Sequence, residues 1–315
     1  MTLDTLCKLF GYTRQAHYKQ QREGMKRYYK EERILELIRD ERELQPRMGT
    51  RKLYHLLRHK GIALGRDKLY TLLRENDLLV RPTKRFYVRT TTAGERARLF
   101  PNLVKDKSIT APNQVWVSDI TYIRIKNGFA YLSLITDAYS RKIVGCCLHP
   151  SLDTEGCLNA LNQAMGSLSW SELKGIIHHS DRGCQYCSKA YVKVLKAAHM
   201  KVSVTQKGDP YENALAERVN GILKAEWINE ETYETFDIAK NRISQIIEIY
   251  NTRRLHSSIK YKTPQEVHKK AYTHSSRKAR LKQLEVEKER GFSDNYFSFS
   301  HTPDSFEGRF EKKNN

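Results

Sequence analysis

The sequence has no apolar run long enough to cross a membrane and no cysteine pattern typical of a disulfide-bonded domain. Its apolar stretches stay well below the ~18 residues that a membrane-spanning helix requires. Residues 1–15 alternate polar and apolar side chains and lack the continuous apolar segment of a signal peptide. The six cysteines follow no disulfide spacing, which favours reduced thiols. These features predict a cytoplasmic protein with no membrane partner.

Acidic residues are also scarce relative to basic ones. The 315 residues include 56 Lys and Arg but only 36 Asp and Glu, a formal net charge of +20. This surplus favours a polyanionic partner, most simply nucleic acid, although a basic surface that only aids solubility is the alternative. The hydrophobic fraction of 39% suffices for folded cores and argues against a disordered chain. The length allows two or three domains.

Residues 1–80 are predicted to form a helical, basic region. Two short helices flank Gly11, a third covers residues 31–44, and residues 50–76 have the pattern helix, glycine turn, helix. Such a pair is typical of a helix-turn-helix DNA-binding motif, with an ordinary helical hairpin as the alternative. Basic residues of its second helix are candidates for contacts with phosphates and bases. They are Arg66, Lys68 and Arg74.

Residues 81–113 are basic and show little periodicity, which predicts a linker that can lie along DNA. From residue 114 the pattern changes to three strands, a helix, a strand, a helix, a strand and two helices. This order is that of the α/β ribonuclease H-like fold, with a mixed five-stranded sheet and flanking helices. The core is expected to span residues 114–268, and residues 269–315 a charged helix and a flexible tail.

Three carboxylates lie in segments that such a fold would bring together. Asp119 lies in the first predicted strand, Asp181 follows the fourth, and Glu217 lies on the helix after the fifth. The first and fourth strands would be neighbours at the centre of the sheet, with the helix packed across them. Carboxylate oxygens bind hard cations, and such a set is typical of two-metal phosphoryl transfer. The alternative for each residue is an exposed charge or a helix cap.

Two other groups of residues compete for a functional role. Asp137 ends the second predicted strand and is interpreted as a turn cap or a partner of Arg141, with catalysis as the lesser alternative. The pair Cys184 and Cys187, near the adjacent histidines at 178 and 179, could indicate zinc. One such pair without a second at zinc-finger distance is weak evidence.

Three sequence blocks resemble the DDE transposases of bacterial insertion sequences. The blocks WVSDITYI, HHSDRGCQY and GDPYENALAERVNGILKAE contain the three carboxylates, with 35 residues between Asp181 and Glu217 and with Lys224 seven residues after Glu217. The pattern is most similar to the second-reading-frame product of copy-out, paste-in elements, which are relatives of retroviral integrases. The helix-turn-helix region and the later block YNTRRLHSSIKYKTP also match, so the resemblance covers about residues 1–268.

The resemblance implies a polynucleotidyl transferase whose catalytic, metal-binding residues are Asp119, Asp181 and Glu217, with two Mg²⁺ or Mn²⁺ ions per site. Such an enzyme binds the terminal inverted repeats of its element, cleaves DNA there and joins a 3′-hydroxyl to target DNA. It would act in the bacterial cytoplasm, associated with the nucleoid, as a homo-oligomer of two or more chains. Full enzymes of this family often carry an upstream, frameshift-joined segment with a leucine zipper, whereas this chain starts at its own Met1 without a sustained heptad pattern. Two alternatives stay open: a partial product that has an upstream-frame product of the same element as a partner, and an element that manages without the fusion.

Further residues are candidates for DNA binding. Lys224 follows Glu217 on the same helix face and is available for a phosphate. Three basic residues of the later block either contact DNA or stabilise a turn. They are Arg253, Arg254 and His256. Two other functions stay open: a catalytically inactive helix-turn-helix regulator, and a ribonuclease H-like nuclease that acts on hybrids or junctions.

Overall fold

The N-terminal part of the chain is helical. The computed structural model describes residues 2–81, 100–206 and 213–271. It begins with α1 (Leu3–Leu9), α2 (Arg14–Leu44), α3 (Thr50–His59) and α4 (Arg66–Glu75). The prediction of two separate helices within residues 14–44 was wrong, because α2 continues through this whole range. No proline interrupts it, and the single Gly24 costs a helix only about 1 kcal/mol.

The helix-turn-helix arrangement predicted for residues 50–76 is present. Helices α3 and α4 are separated by a turn in which Gly61 has a φ of +77°, a conformation that residues with a Cβ rarely adopt. Apolar side chains of α3 and α4 pack with the second half of α2 around a small core. Its most deeply buried members are Ile34, Leu35, Ile38, Met48, Leu53, Leu57, Leu69 and Leu73.

The second part of the chain contains the predicted mixed sheet of five strands. Its strands are β1 (Val115–Ile125), β2 (Gly128–Asp137), β3 (Ile143–His149), β4 (Ile177–Ser180) and β5 (Lys201–Val204). Their spatial order is β3-β2-β1-β4-β5. The first three strands pair antiparallel, whereas β4 is parallel to β1 and β5 is parallel to β4. Strands β1 and β4 are therefore neighbours at the centre, as the sequence predicted.

Helices cover both faces of this sheet. They are α5 (Thr154–Met165), α6 (Trp170–Leu173), α7 (Lys189–Ala197), α8 (Ala214–Glu226) and α9 (Phe236–Thr252). Helices α5 and α7 pack on one face around Trp116 and Ile135, and α8 and α9 pack on the other around Ile123 and Leu132. Because side chains alternate along a strand, β1 serves both cores. The four-residue helix α6 was not predicted.

Buried charges join the N-terminal helices to α8. The carboxylate of Glu226, at the end of α8, accepts hydrogen bonds from Lys52 Nζ of α3 at 2.8 and 2.9 Å. The same carboxylate accepts a bidentate pair from Arg254 at 2.6 and 2.8 Å. Next to it, Trp227 Nε1 donates to the Leu44 carbonyl at 2.7 Å. The helix that carries Glu217 is therefore fixed against the helix-turn-helix region.

Some predicted features lie outside the described residues. These are residues 82–99 of the predicted linker, and the charged helix and tail from residue 272 onward. Within the described part of the chain, no helix combines the length and apolarity that crossing a membrane requires.

Candidate active site

Asp119 and Asp181 come together through the pairing of β1 with β4. The two strands run parallel, and their register sets Ser118 opposite Ser180. An aspartate follows each of these two serines. Asp119 and Asp181 are therefore adjacent at the point where β4 ends. The sequence prediction that these two residues are neighbours at the centre of the sheet is confirmed.

Asp119 is half-buried and both of its carboxylate oxygens accept hydrogen bonds. Oδ1 accepts the backbone N–H of Ile120 at 2.9 Å, and Oδ2 accepts the side-chain amide of Asn220 on α8 at 2.8 Å. Asp181 is also half-buried, and its Oδ1 accepts the backbone N–H of Gly183 at 2.9 Å. A Cβ at Gly183 would lie only 3.0 Å from that oxygen, so a glycine suits this position. Each carboxylate is thus oriented by donors of known position.

Glu217 lies in the first turn of α8, which crosses the face of β1 that carries Asp119. Val219 and Leu223 anchor the helix to the sheet, as its apolar spacing predicted. Glu217 itself is exposed, and Lys224, two turns later, is half-buried. Asn213, directly before the helix, is buried, and its side-chain amide donates to the Ser118 carbonyl at 3.1 Å.

The three carboxylates influence each other electrostatically. Burial, the charge of Asp181 and, to a smaller extent, that of Glu217 raise the pKa of Asp119 to about 7. Burial also raises the pKa of Asp181. The pKa of Glu217 is raised by partial loss of its contact with water and by the charge of Asp181. Burial lowers the pKa of Lys224, against the attraction of Asp119. The site thus holds several negative charges in a place where their ionisation is unfavourable.

The carboxylates share a region of the molecule without forming a closed cage. In the described ranges, no three His, Cys, Asp or Glu side chains converge closely enough to enclose a metal ion as they stand. Like charges repel, and a cation bound between the carboxylates would offset that repulsion. An all-oxygen set of this kind suits a hard divalent cation such as Mg²⁺ or Mn²⁺.

The histidines next to Asp181 are used within the fold. His178 Nε2 lies 2.7 Å from Ser118 Oγ and 2.9 Å from the hydroxyl of Tyr191. Burial lowers the pKa of His178 to about 3, so the ring is neutral. His179 Nδ1 lies 2.9 Å from Ser203 Oγ. Of the two cysteines in the zinc alternative, Cys184 is exposed and Cys187 is buried. This engagement of both rings weighs against the zinc alternative.

Asp137 has the structural role that the sequence analysis favoured. Its side chain is fully buried, and Oδ1 accepts both the backbone N–H and the hydroxyl of Ser140 at 2.7 and 2.6 Å. Its Oδ2 accepts the backbone N–H of Asn113 at 2.7 Å. The guanidinium of Arg141 donates instead to the Ala138 carbonyl. Asp137 therefore caps the turn after β2, and its carboxylate already accepts three hydrogen bonds.

Comparison with known proteins identifies two kinds of domain in the chain. Models described as integrase core domains match residues 109–210 and 198–264, and a model described as an HTH-like domain matches residues 29–86. An uncharacterized 31 kDa protein of insertion element IS600 from Shigella sonnei is 35% identical over 81% of this chain and 94% of its own length. The transposase for insertion sequence element IS904 from Lactococcus lactis is 33% identical over 71% of this chain and 88% of its own length.

This chain belongs to the family of insertion-sequence transposases. The transposase has a ribonuclease H-like integrase core and is a polynucleotidyl transferase of the DDE type. Among solved structures, the HTLV-2 integrase catalytic core domain in complex with magnesium is similar, with 20% identity and a TM-score of 0.40. That alignment covers 50% of the transposase and 97% of the HTLV-2 domain.

The candidate DNA-binding residues of the transposase fall into two groups. Arg66, Lys68 and Arg74 on α4, and Arg253 after α9, are exposed. Arg254 and His256 are buried, with exposed fractions of 5% and 7%. Arg254 pairs with Glu226, and His256 Nε2 lies 3.0 Å from the hydroxyl of Tyr250. Burial lowers the pKa of His256 to about 2. For these two residues the geometry favours the alternative role of stabilising a turn.

One residue of the site was missed by sequence reasoning. Asn220 is 5% exposed and holds Asp119 through the hydrogen bond described above, while its own Oδ1 has no partner among the described side chains and backbone. The sequence could have identified this residue, because Asn220 follows Glu217 by three residues and precedes Lys224 by four. These spacings place all three on one helix face.

Proposed function

We propose that this transposase binds the terminal inverted repeats of its insertion sequence and catalyses metal-dependent strand cleavage and strand transfer, that is, DNA integration and recombination. Asp119, Asp181 and Glu217 are the catalytic triad in this proposal. The observation that carries it is the placement of the three carboxylates: Asp119 on β1, Asp181 directly after the neighbouring strand β4, and Glu217 in the first turn of α8, which packs on β1. The raised pKa values of the three support it. Carboxylates with raised pKa values beside one another are typical of functional sites.

The site residues suit divalent cations. Asp119, Asp181 and Glu217 would hold two Mg²⁺ or Mn²⁺ ions, because positive charge removes the repulsion that raises their pKa values. When bound, such a pair activates the attacking oxygen and stabilises the leaving oxygen of a phosphoryl transfer.

The chain's own residues have separate tasks in this proposal. Asn220 orients Asp119, and Lys224 is the cation beside it that can contact a DNA phosphate. The helical region of residues 1–80 binds duplex DNA through α4, and the core of residues 114–268 carries the chemistry. Assembly as a dimer or larger oligomer would bring two element ends together, with or without an upstream-frame product.

The direct test uses purified chain, a labelled duplex carrying the element's own end, an unlabelled target duplex and Mg²⁺. We expect nicking that leaves a 3′-hydroxyl, followed by joining of the label to the target, and loss of both in Glu217→Gln. Tight end binding without cleavage would leave a helix-turn-helix regulator or a transposase that lacks its upstream-frame segment. Adding that segment in trans separates the two, and continued absence of cleavage would contradict the catalytic proposal. Cleavage of an RNA–DNA hybrid that lacks the end sequence would support a nuclease instead.

Asn220→Ala is expected to weaken Mn²⁺ binding and lower cleavage activity by roughly 10- to 100-fold, the usual effect of losing a residue that orients a metal ligand. The reason is that Asp119 Oδ2 loses its donor at 2.8 Å while keeping its charge. Calorimetric titration with Mn²⁺ measures the first effect, and the labelled-end assay measures the second. Asn241→Ala, an exposed asparagine on α9, is the matched control. Equal Mn²⁺ affinity in both variants would show that Asn220 has no orienting role.

Mn²⁺ affinity is expected to rise with pH through neutrality. A metal ligand must lose its proton, and the pKa of Asp119 in the ion-free protein is about 7. Below that value each unit of pH costs up to about ten-fold in affinity, because one proton must be displaced. Above it, the dependence on Asp119 levels off. Titrations at several pH values measure this profile, and an affinity that stays constant across neutrality would contradict the assignment.

A further inference from the structure

The first half of α2 extends from the body of the protein. Every residue from Lys8 to Lys30 is exposed, and the first deeply buried residue after them is Ile34. At 1.5 Å per residue, the 31 residues of α2 measure about 46 Å, of which more than half precede the helix-turn-helix core. The HTH-like match begins only at residue 29. Within the described residues, α1 contacts α2, but no element buries a residue of this segment.

The extended segment is strongly basic. Between residues 12 and 30, six Lys and Arg side chains stand against one carboxylate, Glu23. The basic residues are Arg14, Lys19, Arg22, Lys26, Arg27 and Lys30. Aromatic side chains lie among them, and Tyr28 and Tyr29 are 57% and 65% exposed. A mixture of cations and exposed rings on one element suits a nucleic-acid backbone, with cations for phosphates and rings for sugars.

Helical spacing arranges five of the six basic residues in two neighbouring stripes. Positions three and four apart share a helix face, so one stripe mixes cations with large apolar groups. It consists of Arg14, Tyr18, Arg22, Met25 and Tyr29. A second stripe beside it contains Lys19, Lys26 and Lys30. The first stripe lies opposite the face that Ile34 and Ile38 present to the helical core further along α2. The second stripe runs in line with Ile34, but in this half of the helix all three of its lysines are exposed. The basic side is therefore turned to solvent along its whole length.

Charge also decides which partner suits this surface. Arg22 and Lys26, and Lys26 and Lys30, are like-charged pairs four residues apart, which destabilise a free helix. Docking of the same segment from a second chain would add further repulsion between two basic surfaces. A polyanion removes the repulsion and gains from released counterions.

We propose that residues 12–30 form a second DNA-binding surface, separate from α4, that lies along the phosphate backbone of duplex DNA. This inference rests on the proposed function, in which duplex DNA is the substrate. Contacts with phosphates do not depend on the base sequence, so this surface strengthens binding to any duplex. It extends the footprint of the transposase beyond the site that the helix-turn-helix contacts.

The test compares two triple variants of the full chain that each remove three positive charges. Lys19→Gln/Lys26→Gln/Lys30→Gln alters the proposed surface. Its matched control, Lys189→Gln/Lys193→Gln/Lys196→Gln, alters three exposed lysines on one face of α7. Binding to a mixed-sequence duplex is measured over a range of salt concentrations. Loss of three phosphate contacts should reduce the slope of log affinity against log salt by about two to three, with little change in the control.

Hydrogen exchange supplies a second readout on the wild-type chain. Backbone amides of residues 14–30 should gain protection when the duplex is added, because phosphates relieve the repulsion within the helix. Protection that appears without DNA and disappears on dilution would assign the surface to a second copy of the chain and overturn the proposal.

The outcomes separate this inference from the proposed function. If the wild type binds and cleaves duplex DNA but both triple variants show the same salt slope, only the second surface is refuted. If the wild type binds no duplex, the proposed function and this inference fail together.

Discussion

Asp119→Asn is expected to lower strand cleavage and joining by a thousand-fold or more, on the order of what loss of a central charge-stabilising group costs an enzyme. Asp119 is the carboxylate on which the electrostatic influence of both Asp181 and Glu217 converges. An amide of the same shape has one acceptor oxygen instead of two, so it keeps the hydrogen bond from Asn220 and loses the one from the Ile120 backbone N–H. It also removes the charge that would attract a cation. Binding of the element's end should survive, because the helix-turn-helix lies on other elements.

The same substitution is expected to leave the metal-free fold at least as stable as the wild type. The pKa of Asp119 is about 7 in the folded chain against a usual value of 3.8. Since the folded state holds this proton more tightly than the unfolded state, ionisation costs stability as the pH rises from about 4 to about 7. Above neutrality the asparagine avoids that cost. Thermal unfolding in a chelating buffer at alkaline pH measures the difference.

Two results would contradict these expectations for Asp119. Unchanged cleavage in Asp119→Asn would remove this residue from the catalytic site. A large fall in the metal-free melting temperature would show that the carboxylate stabilises the fold and that lost activity reflects unfolding.

Glu226→Ala is expected to destabilise the fold by about 3–5 kcal/mol, the usual cost of removing one member of a buried charge network. Lys52 and Arg254 would lose their partner but keep their positive charges. Their side chains are only 16% and 7% exposed, so water could not fully replace the carboxylate. Since a domain of ordinary stability has about 5–15 kcal/mol in total, this loss is large. Urea unfolding measures it, and limited proteolysis reports whether the helix-turn-helix region separates from α8.

Glu234→Ala provides the matched control for Glu226→Ala. Glu234 also pairs with a lysine, Lys126, but both side chains are more than half exposed. Exposed pairs contribute about 0–1 kcal/mol, so this variant should unfold almost like the wild type. Similar losses in the two variants would show that Glu226 does not fix α8 to the N-terminal helices.

Much of the core could be predicted from the sequence, because its strands and helices have clear periodicity. Alternation along residues 115–125 identified the strand that carries Asp119, and the order of elements then implied that Asp181 lies beside it. The 3.6-residue spacing of Val219 and Leu223 identified the buried face of α8. Local pattern and global topology agree here, so each supports the other.

Features that depend on contacts between distant segments could not be predicted. Nothing in the local sequence shows that Lys52 and Arg254 meet at Glu226, because residues in three separate segments form this network. The burial of Arg254 and His256 follows from the same packing. Their basic local sequence is instead typical of an exposed segment, so it did not predict this burial. The continuity of α2 was missed because Gly24 is a weak helix breaker whose cost neighbouring turns can offset.

Counting bound Mn²⁺ ions tests the central claim most directly, namely that Asp119, Asp181 and Glu217 act together as one metal site. Calorimetry and electron paramagnetic resonance would be applied to the wild type, Asp119→Asn, Glu217→Gln and the exposed control Glu234→Gln. We predict two ions in the wild type and the control, and loss of at least one ion in each active-site variant. Two ions bound with unchanged affinity in both active-site variants would contradict the claim.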